Sequence, residues 1–436
     1  MRVAVIGFGK SGRAAYEILK RHNIEAFVFD EKLKEQSSDN MFFGLDAERF
    51  FDFDFDRVVV SPGVKPSHRF VQYAEKNTIE VISELELGFE YAKGKIIAIT
   101  GTNGKSTTVK LVEKMLKEQG KEAIACGNIG LAFCDVADKD FEWFVVEASS
   151  FQLYYTHSFR PHIAAILNIA FDHLSWHGSM ENYIAAKRKI FGNQNENDFF
   201  IKNREDQYIF DGRAELFEVS SMDKEADAFF GKDYAVVNRP KRFIIEKTAM
   251  FGSKAFENIA FAAMCGLLAG VDEKIIKEVS QNMENLEHRI EYVDEIDGVK
   301  FYNDSKATNL DAVETAINSF DESVKLVVIL GGKYKGESYA KLLPLLQKRV
   351  KALVVYGEDR KMILKDLEKF IPVPLPALNI WGAVRAAFEV AAKGDVVLFS
   401  PGGASCEPYK NFEERGEAFK KEVKVFKEEY EKAPLI

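Results

Sequence analysis

Cysteine is scarce. Four residues, Cys126, Cys134, Cys265 and Cys406, are scattered through 436 without CxxC spacing, which excludes a disulfide framework and a cysteine-built zinc site and points to a reducing cytosol. No uninterrupted apolar run reaches membrane-spanning length, and the opening MRVAVIGFGKSG turns to glycine before a signal-type apolar core forms. The expectation is a cytoplasmic protein with no membrane partner. An excess of positive charge is missing too: 59 Lys and Arg against 68 Asp and Glu leave a net charge of −9. No global basic field exists to hold nucleic acid, so any phosphate must be gripped locally. Repeats of solenoid length are absent as well. What remains is ordinary globular composition, 47% hydrophobic and 29% charged, in a chain long enough for roughly three domains at about 150 residues each.

The apolar pattern divides the chain. From Met1 to about Ala92, short runs (Val3 to Ile6, Ala26 to Phe29, Val58 to Val60) alternate with amphipathic stretches, as in βαβ units. A buried-strand signal, IIAIT, follows the polar KGK at Lys93 to Lys95, and further runs (Trp143 to Val146, Ile163 to Asn168) continue to about Asn285. A third βα alternation carries Lys325 to Leu330, Ala352 to Tyr356 and Val396 to Ser400, each ending near Gly or Pro. The expected fold class is therefore α/β with three domains, at 1–93, 94–285 and 286–436. The period-two run FFDFDFD, Phe50 to Asp56, reads as a half-exposed strand or loop.

Phosphate chemistry is written at two turns. Gly7, Gly9 and Gly12 spell G-x-G-x-x-G directly after a strand, and Asp30 ends the next strand. Glycines let backbone N–H groups approach a pyrophosphate and an acid accepts ribose hydroxyls, so either NAD or a nucleotide-sugar diphosphate satisfies the motif. A second turn, Ser61-Pro62-Gly63, follows the Val58 strand and would lie at the same sheet edge. The strongest signal is GTNGKST, Gly101 to Thr107, between IIAIT and an amphipathic helix. In such a loop the amides of Gly101, Thr102, Asn103 and Gly104 wrap phosphates, Lys105 charges the β and γ groups and the Ser106 hydroxyl meets Mg²⁺. The usual pattern would place its first glycine at Ile99, so this loop is shorter by two.

Other polar strings close strand-like runs: Glu147 in EASSFQL, from which a carboxylate could reach Mg²⁺, Asp172-His173 in NIAFDH, and Lys187 in AAKRKI. Downstream stand His288-Arg289 in LEHRIE, Asp304 to Thr308 in NDSKATN, Lys333 and Lys335 in GGKYKGES, and Ser405, Phe412 and Arg415 in SPGGASCEPYKNFEERG. Strand ends of an open α/β sheet are where substrates dock.

Taken in order, GTNGKST, EASSFQL, NIAFDH, AAKRKI, LEHRIE, NDSKATN and SPGGAS resemble the Mur ligase family across nearly the whole chain. GFGKSG, the SPG turn and the SPGxAS…KNFxxRG ending look like its D-glutamate-adding branch, and the DNPR string of the diaminopimelate-adding member is absent. The resemblance implies an N-terminal Rossmann-like, a central P-loop ATPase-like and a C-terminal Rossmann-like domain. It also implies ATP-dependent addition of D-glutamate to UDP-N-acetylmuramoyl-L-alanine by a monomer, through an acyl phosphate.

By the same resemblance, Gly101 to Thr107 with Asn258, Arg289, Asp304 and Lys306 serve ATP, Asn258 being kept where the family's G-x-H-N-x-x-N reads GSKAFEN. Ser106 and Glu147 would hold one Mg²⁺; His173 and a carbamylated Lys187 would hold a second. Lys105, Glu147, His173 and Lys187 form the catalytic set. Ser11, Gly12, Asp30, Ser61 and Asn128 would contact the UDP substrate, and Thr308, Lys335, Ser405 and Phe412 would receive D-glutamate. Rival readings are another Mur-type or folylpolyglutamate-type amide ligase and, from the N-terminal glycines alone, an NAD-dependent oxidoreductase.

Overall fold

The computed structural model describes residues 1–206, 211–334, 336–405 and 407–432. The chain forms two compact units, Met1–Lys247 with Phe256–Gln281, and Thr248–Ala255 with Asn282–Ile436. Three sheets carry the architecture, two in the first unit and one in the second. The three-domain α/β reading holds. Among the described residues no helix is long and apolar enough to cross a membrane.

The N-terminal sheet is wholly parallel, in the order Met41–Phe43, Glu25–Asp30, Arg2–Ile6, Arg57–Val60, Glu80–Ser83. Its strands are continuous apolar runs because both faces are covered. The turn after Arg2–Ile6 needs its glycines: Gly7 sits at φ +84°, and a Cβ on Gly12 would lie 1.9 Å from the Gly7 carbonyl oxygen. Helix Lys10–Arg21 can therefore pack this close to the turn only with glycine at position 12.

The run FFDFDFD is not a strand. Gly44–Asp52 is a 3₁₀ segment that leads into a loop. Its alternation reports exposure only in part: Asp52, Asp54 and Asp56 face solvent and Phe55 is buried, but Phe51 is 38% exposed and the buried Phe50 falls on the aspartates' parity. Phe50 stacks on Phe70 with ring centroids 4.5 Å apart and meets Phe29 edge-on at 5.3 Å. The aspartates stay wet while the rings close one face of the sheet.

The central sheet has nine strands, ordered Phe243–Ile245, Ala235–Val237, Ala228–Phe230, Glu215–Ser220, Phe199–Asn203, Ile163–Ile166, Lys95–Thr100, Trp143–Glu147, Ala123–Gly127. All run in one direction except Ala235–Val237, which is antiparallel to both its neighbours. Lys95–Thr100 lies between Ile163–Ile166 and Trp143–Glu147, so GTNGKST, NIAFDH and EASSFQL leave one edge side by side. The second unit repeats the logic, in the order Glu291–Ile296, Val299–Asn303, Val396–Gly402, Leu326–Gly331, Val350–Tyr356, Leu375–Ala377, with only the first strand antiparallel. NDSKATN, SPGGAS and GGKYKG are thus neighbours.

Truncating Phe50 removes a ring from a closed aromatic cluster, so Phe50→Ala should lower unfolding free energy by about 3 to 5 kcal/mol. Leu45→Ala, at a side chain 91% exposed on the same segment, should change it little. Urea denaturation of both variants checks the contrast.

Candidate active site

The phosphate loop is held open by hydrogen bonds from the neighbouring strand end. Gly101 (φ +152°) and Gly104 (φ +86°) adopt conformations that exclude ordinary side chains, and helix Lys105–Glu118 begins immediately after. Asn168 braces the loop: its carbonyl oxygens accept from the Thr102 and Asn103 amides at 2.9 Å each, and its Nδ2 donates to Asn103 O at 3.2 Å and Glu257 Oε1 at 3.0 Å. Thr102 Oγ1 lies 3.0 Å from the Tyr183 hydroxyl and accepts from the Ala170 amide. The Asn258 amide packs against the loop so closely that a Cβ on Gly104 would stand 2.3 Å from its Oδ1. Thr107 is buried in the first turn of the helix. With the Thr102 and Asn103 amides held by Asn168, the loop leads into the N-terminus of helix Lys105–Glu118, whose first-turn amides form a ready anion site.

Around this loop the catalytic candidates gather. Ser106 Oγ donates to Glu147 Oε2 at 2.7 Å, and Asn128 Nδ2 donates to Glu147 Oε1 at 2.8 Å. Asn128, expected among the UDP contacts, stands beside Glu147. Lys105 Nζ folds back to Gly101 O and Thr102 O at 2.9 Å each. Lys187 Nζ donates to the same Gly101 oxygen at 2.8 Å and to Thr100 Oγ1 at 3.3 Å, and lies 4.7 Å from the Tyr183 ring centroid. Lys187 is 2% exposed. Burial first, and the nearby Lys105 charge second, push its amine well below the ordinary lysine range.

His173 sits in the left-handed region at φ 56° and caps helix Leu174–His177. Its ring packs on Phe151 at 4.7 Å, with Nε2 3.4 Å from Asp172 Oδ2. The next histidine, His177, pairs with Ser150 Oγ at 2.9 Å and is driven down to about 4 by burial and by Lys187. Burial favours its neutral form. Among the described residues no group of three or more His, Cys, Asp or Glu side chains is arranged to hold a metal ion. The oxygen donors Ser106 and Glu147 nonetheless suit Mg²⁺, which keeps several waters and takes one or two carboxylates beside substrate phosphates.

At the N-terminal turn, Ser61 Oγ donates to Gly7 O at 2.8 Å, next to Gly12, and Ser11 is half-buried in the first helical turn. Asp30 is heavily engaged: Oδ2 accepts from the Phe8 amide at 2.7 Å, and Oδ1 from Lys32 and Leu33 at 2.9 and 3.2 Å. It shapes the glycine turn from the adjacent strand.

In the second unit, Asp304 is buried. Its carboxylate accepts from Ser400 Oγ at 2.8 Å and the Ile290 amide at 3.3 Å, and burial raises it to about 7 against the opposing charges of Arg289 and Arg415. Lys306 Nζ stands 3.6 Å above the Phe412 ring. Thr308 is half-buried, and the Ser405 hydroxyl is buried without a hydrogen-bond partner among the described residues. Lys335, the remaining acceptor candidate, lies outside the described residues.

Three supporting residues take roles that the motifs do not show. Arg415, 1% exposed, ties the loops together: Nε and Nη2 reach Ser305 Oγ and O at 3.0 and 2.6 Å, and Nη1 reaches Gly403 O at 2.9 Å. Glu257 holds Asn168, and Tyr183 holds Thr102. Tyr183 had a legible signal, four residues before Lys187 on one helix face. Arg415 stood in the SPGGASCEPYKNFEERG string without a role, and Glu257 had no signal, because polar residues in polar strings read as solvated.

Comparison with known proteins agrees along the chain. Residues 1–83 match the model for the Mur ligase MurD-like N-terminal domain, 99–266 the Mur ligase middle domain, and 288–403 the Mur ligase glutamate ligase domain. The UDP-N-acetylmuramoylalanine--D-glutamate ligase of Caldicellulosiruptor bescii is 39% identical, covering 97% of each chain. Its counterpart from Aquifex aeolicus is 36% identical over 98% of this chain and 99% of that protein. Among solved structures, the MurF ligase of Thermotoga maritima in complex with ADP shares the fold at TM-score 0.61 and 18% identity, over 97% of this chain and 95% of that one. With family matches spanning all three sheets, the chain belongs to the Mur ligase family.

Proposed function

We propose that this protein is an ATP-dependent amide ligase that joins D-glutamate to UDP-N-acetylmuramoyl-L-alanine, releasing ADP and phosphate. The observation that carries this reading is its end-to-end similarity, at 39% identity, to a ligase named for that reaction. Membership in a ligase family sets aside the oxidoreductase reading of the N-terminal glycines. Residues 1–93 would take the nucleotide sugar, 94–285 the ATP and 286–436 the amino acid.

A free carboxylate is a poor electrophile, so the alanyl carboxylate must first take the γ-phosphoryl group. Mg²⁺, when bound, would neutralise charge on that group. The chain's own residues supply the rest. The amides at the N-terminus of helix Lys105–Glu118 would cradle the phosphates, those of Thr102 and Asn103 being held by Asn168, while Lys105, now folded on its own loop, would turn to their oxygens. Ser106 and Glu147 would hold one ion, and His173 with Lys187 the second. An ammonium cannot ligate a cation, but the buried environment of Lys187 favours its neutral amine, the form that adds CO₂. The resulting carbamate offers anionic oxygen and would face Lys105 with opposite charge. The D-glutamate amine would then attack the acyl carbon and phosphate would leave. The unsatisfied Ser405 hydroxyl, with Thr308, Lys335 and Phe412, suits the carboxylates of that acceptor.

An acceptor screen tests the reaction directly. With UDP-N-acetylmuramoyl-L-alanine and ATP, D-glutamate should support stoichiometric ADP release and L-glutamate or D-alanine should not. ADP release without dependence on D-glutamate would contradict it. The carbamate makes a separate prediction: Lys187→Ala should lose about a hundredfold or more in kcat, and short-chain carboxylates should restore part of it. Lys187→Arg should be inactive and unrescued, since a permanent cation cannot add CO₂.

A further inference from the structure

Two carboxylates on the helix that leads from the N-terminal sheet to the central one are almost wholly buried and have no part in the chemistry above. Glu84 and Glu86, in the first turn of Glu84–Tyr91, are 1% and 2% exposed. Burial pushes the Glu84 carboxyl up to about 7 against its hydrogen bonds, and among the described residues no lysine or arginine pairs with it. Such a group costs stability unless it makes bonds that an apolar side chain could not.

The two side chains serve different segments. Glu86 accepts from the amides of His157, Ser158 and Phe159, on the loop that precedes Ile163–Ile166. Glu84 Oε1 accepts from the Cys134 amide at 2.6 Å, and Oε2 accepts from Gln152 Nε2 at 3.4 Å. Gln152, itself 1% exposed, closes the turn after Glu147: its Oε1 accepts from the Ser149 amide at 3.0 Å and from Ser149 Oγ at 2.8 Å. The direction of this relay is fixed at one end. A backbone N–H only donates, so the Gln152 oxygen must face Ser149 and its amide nitrogen must face Glu84. Glu84 must therefore accept. The relay ends two residues from Glu147, whose carboxylate meets Ser106 and Asn128.

We propose that Glu84 is a positioning residue: through Gln152 and Ser149 it holds the strand-end turn that aims Glu147 at the Mg²⁺ position beside the phosphate loop. This rests on the ligase reading, which gives Glu147 its metal.

Exchanging the two side chains tests it. Glu84→Gln alone turns an amide nitrogen toward Gln152 Nε2, donor against donor, and Gln152→Glu alone sets two buried carboxylates face to face. In the double variant Glu84→Gln/Gln152→Glu the amide donates and the carboxylate still accepts from Ser149, so the relay is restored. Glu86→Gln is the control, since it loosens the same helix without touching the relay. Each full-length variant is unfolded in urea and titrated calorimetrically with ADP, with and without Mg²⁺. Mg²⁺ should tighten ADP binding by the wild type. Each single variant of the relay should lose about tenfold of that gain, the usual effect of disturbing a group that orients a metal ligand, and the double variant should regain it. Glu86→Gln should lower the urea midpoint and keep the gain. The kcat of D-glutamate-dependent ADP release should follow the same order. A full Mg²⁺ gain in Glu84→Gln, a double variant no better than the single ones, an equal loss in Glu86→Gln, or no Mg²⁺ effect in the wild type each overturn the proposal. Should a single variant not fold, the double variant decides alone, by folding with the gain or without it. Failure of the ligase reading shows separately, as absence of D-glutamate-dependent ADP release while the Mg²⁺ effect on ADP persists.

Discussion

One carbonyl oxygen organises the candidate centre. Gly101 O accepts from both Lys105 Nζ and Lys187 Nζ, so the two amines are no farther apart than two hydrogen bonds laid end to end. Two ammonium ions so close, one of them buried, repel each other strongly where water cannot screen them. The conflict is eased if Lys187 gives up its proton, and reversed if the neutral amine takes up CO₂ and becomes an anion opposite Lys105. The phosphate loop, the strand end carrying Asn168 and the helix carrying Tyr183 and Lys187 all serve to hold that pair in place.

Parallel strand order is what makes such convergence possible. Segments far apart in sequence, around Lys105, Glu147 and Asn168, leave adjacent strands at one edge. The same device in the second unit brings Asp304, Ser400 and Ser405 together, and there a single buried guanidinium, Arg415, joins the loops. A Cβ on Gly332 would stand 2.8 Å from its Nη1, so the glycine after Leu326–Gly331 makes room for the arginine that locks its neighbours.

Much of this was legible in the amino-acid sequence, for identifiable reasons. Buried parallel strands are continuous apolar runs, and a glycine-rich loop between such a run and an amphipathic helix has few other uses, so IIAIT-GTNGKST was readable with its chemistry. Alternation in FFDFDFD marked the wet carboxylates but not the buried rings, since Phe51 is exposed and Phe50 is buried on the aspartates' parity; a 3₁₀ segment and loop carry the run without a strand. Asp30 shows a different limit. Its position after a strand signals a ligand contact, yet three backbone amides already occupy the carboxylate, a role that only geometry reveals. Arg415 was marked by its motif but not as a buried tie, and Glu257 not at all, because burial of a charge depends on partners contributed by distant loops.

The central claim is that Lys187 carries CO₂ and not a proton. Carbon-13 NMR of the full-length protein equilibrated with labelled bicarbonate reads this directly, with Lys187→Ala as the reference. The account predicts a carbamate resonance in the wild type that the variant lacks. Identical spectra for the two proteins would contradict it.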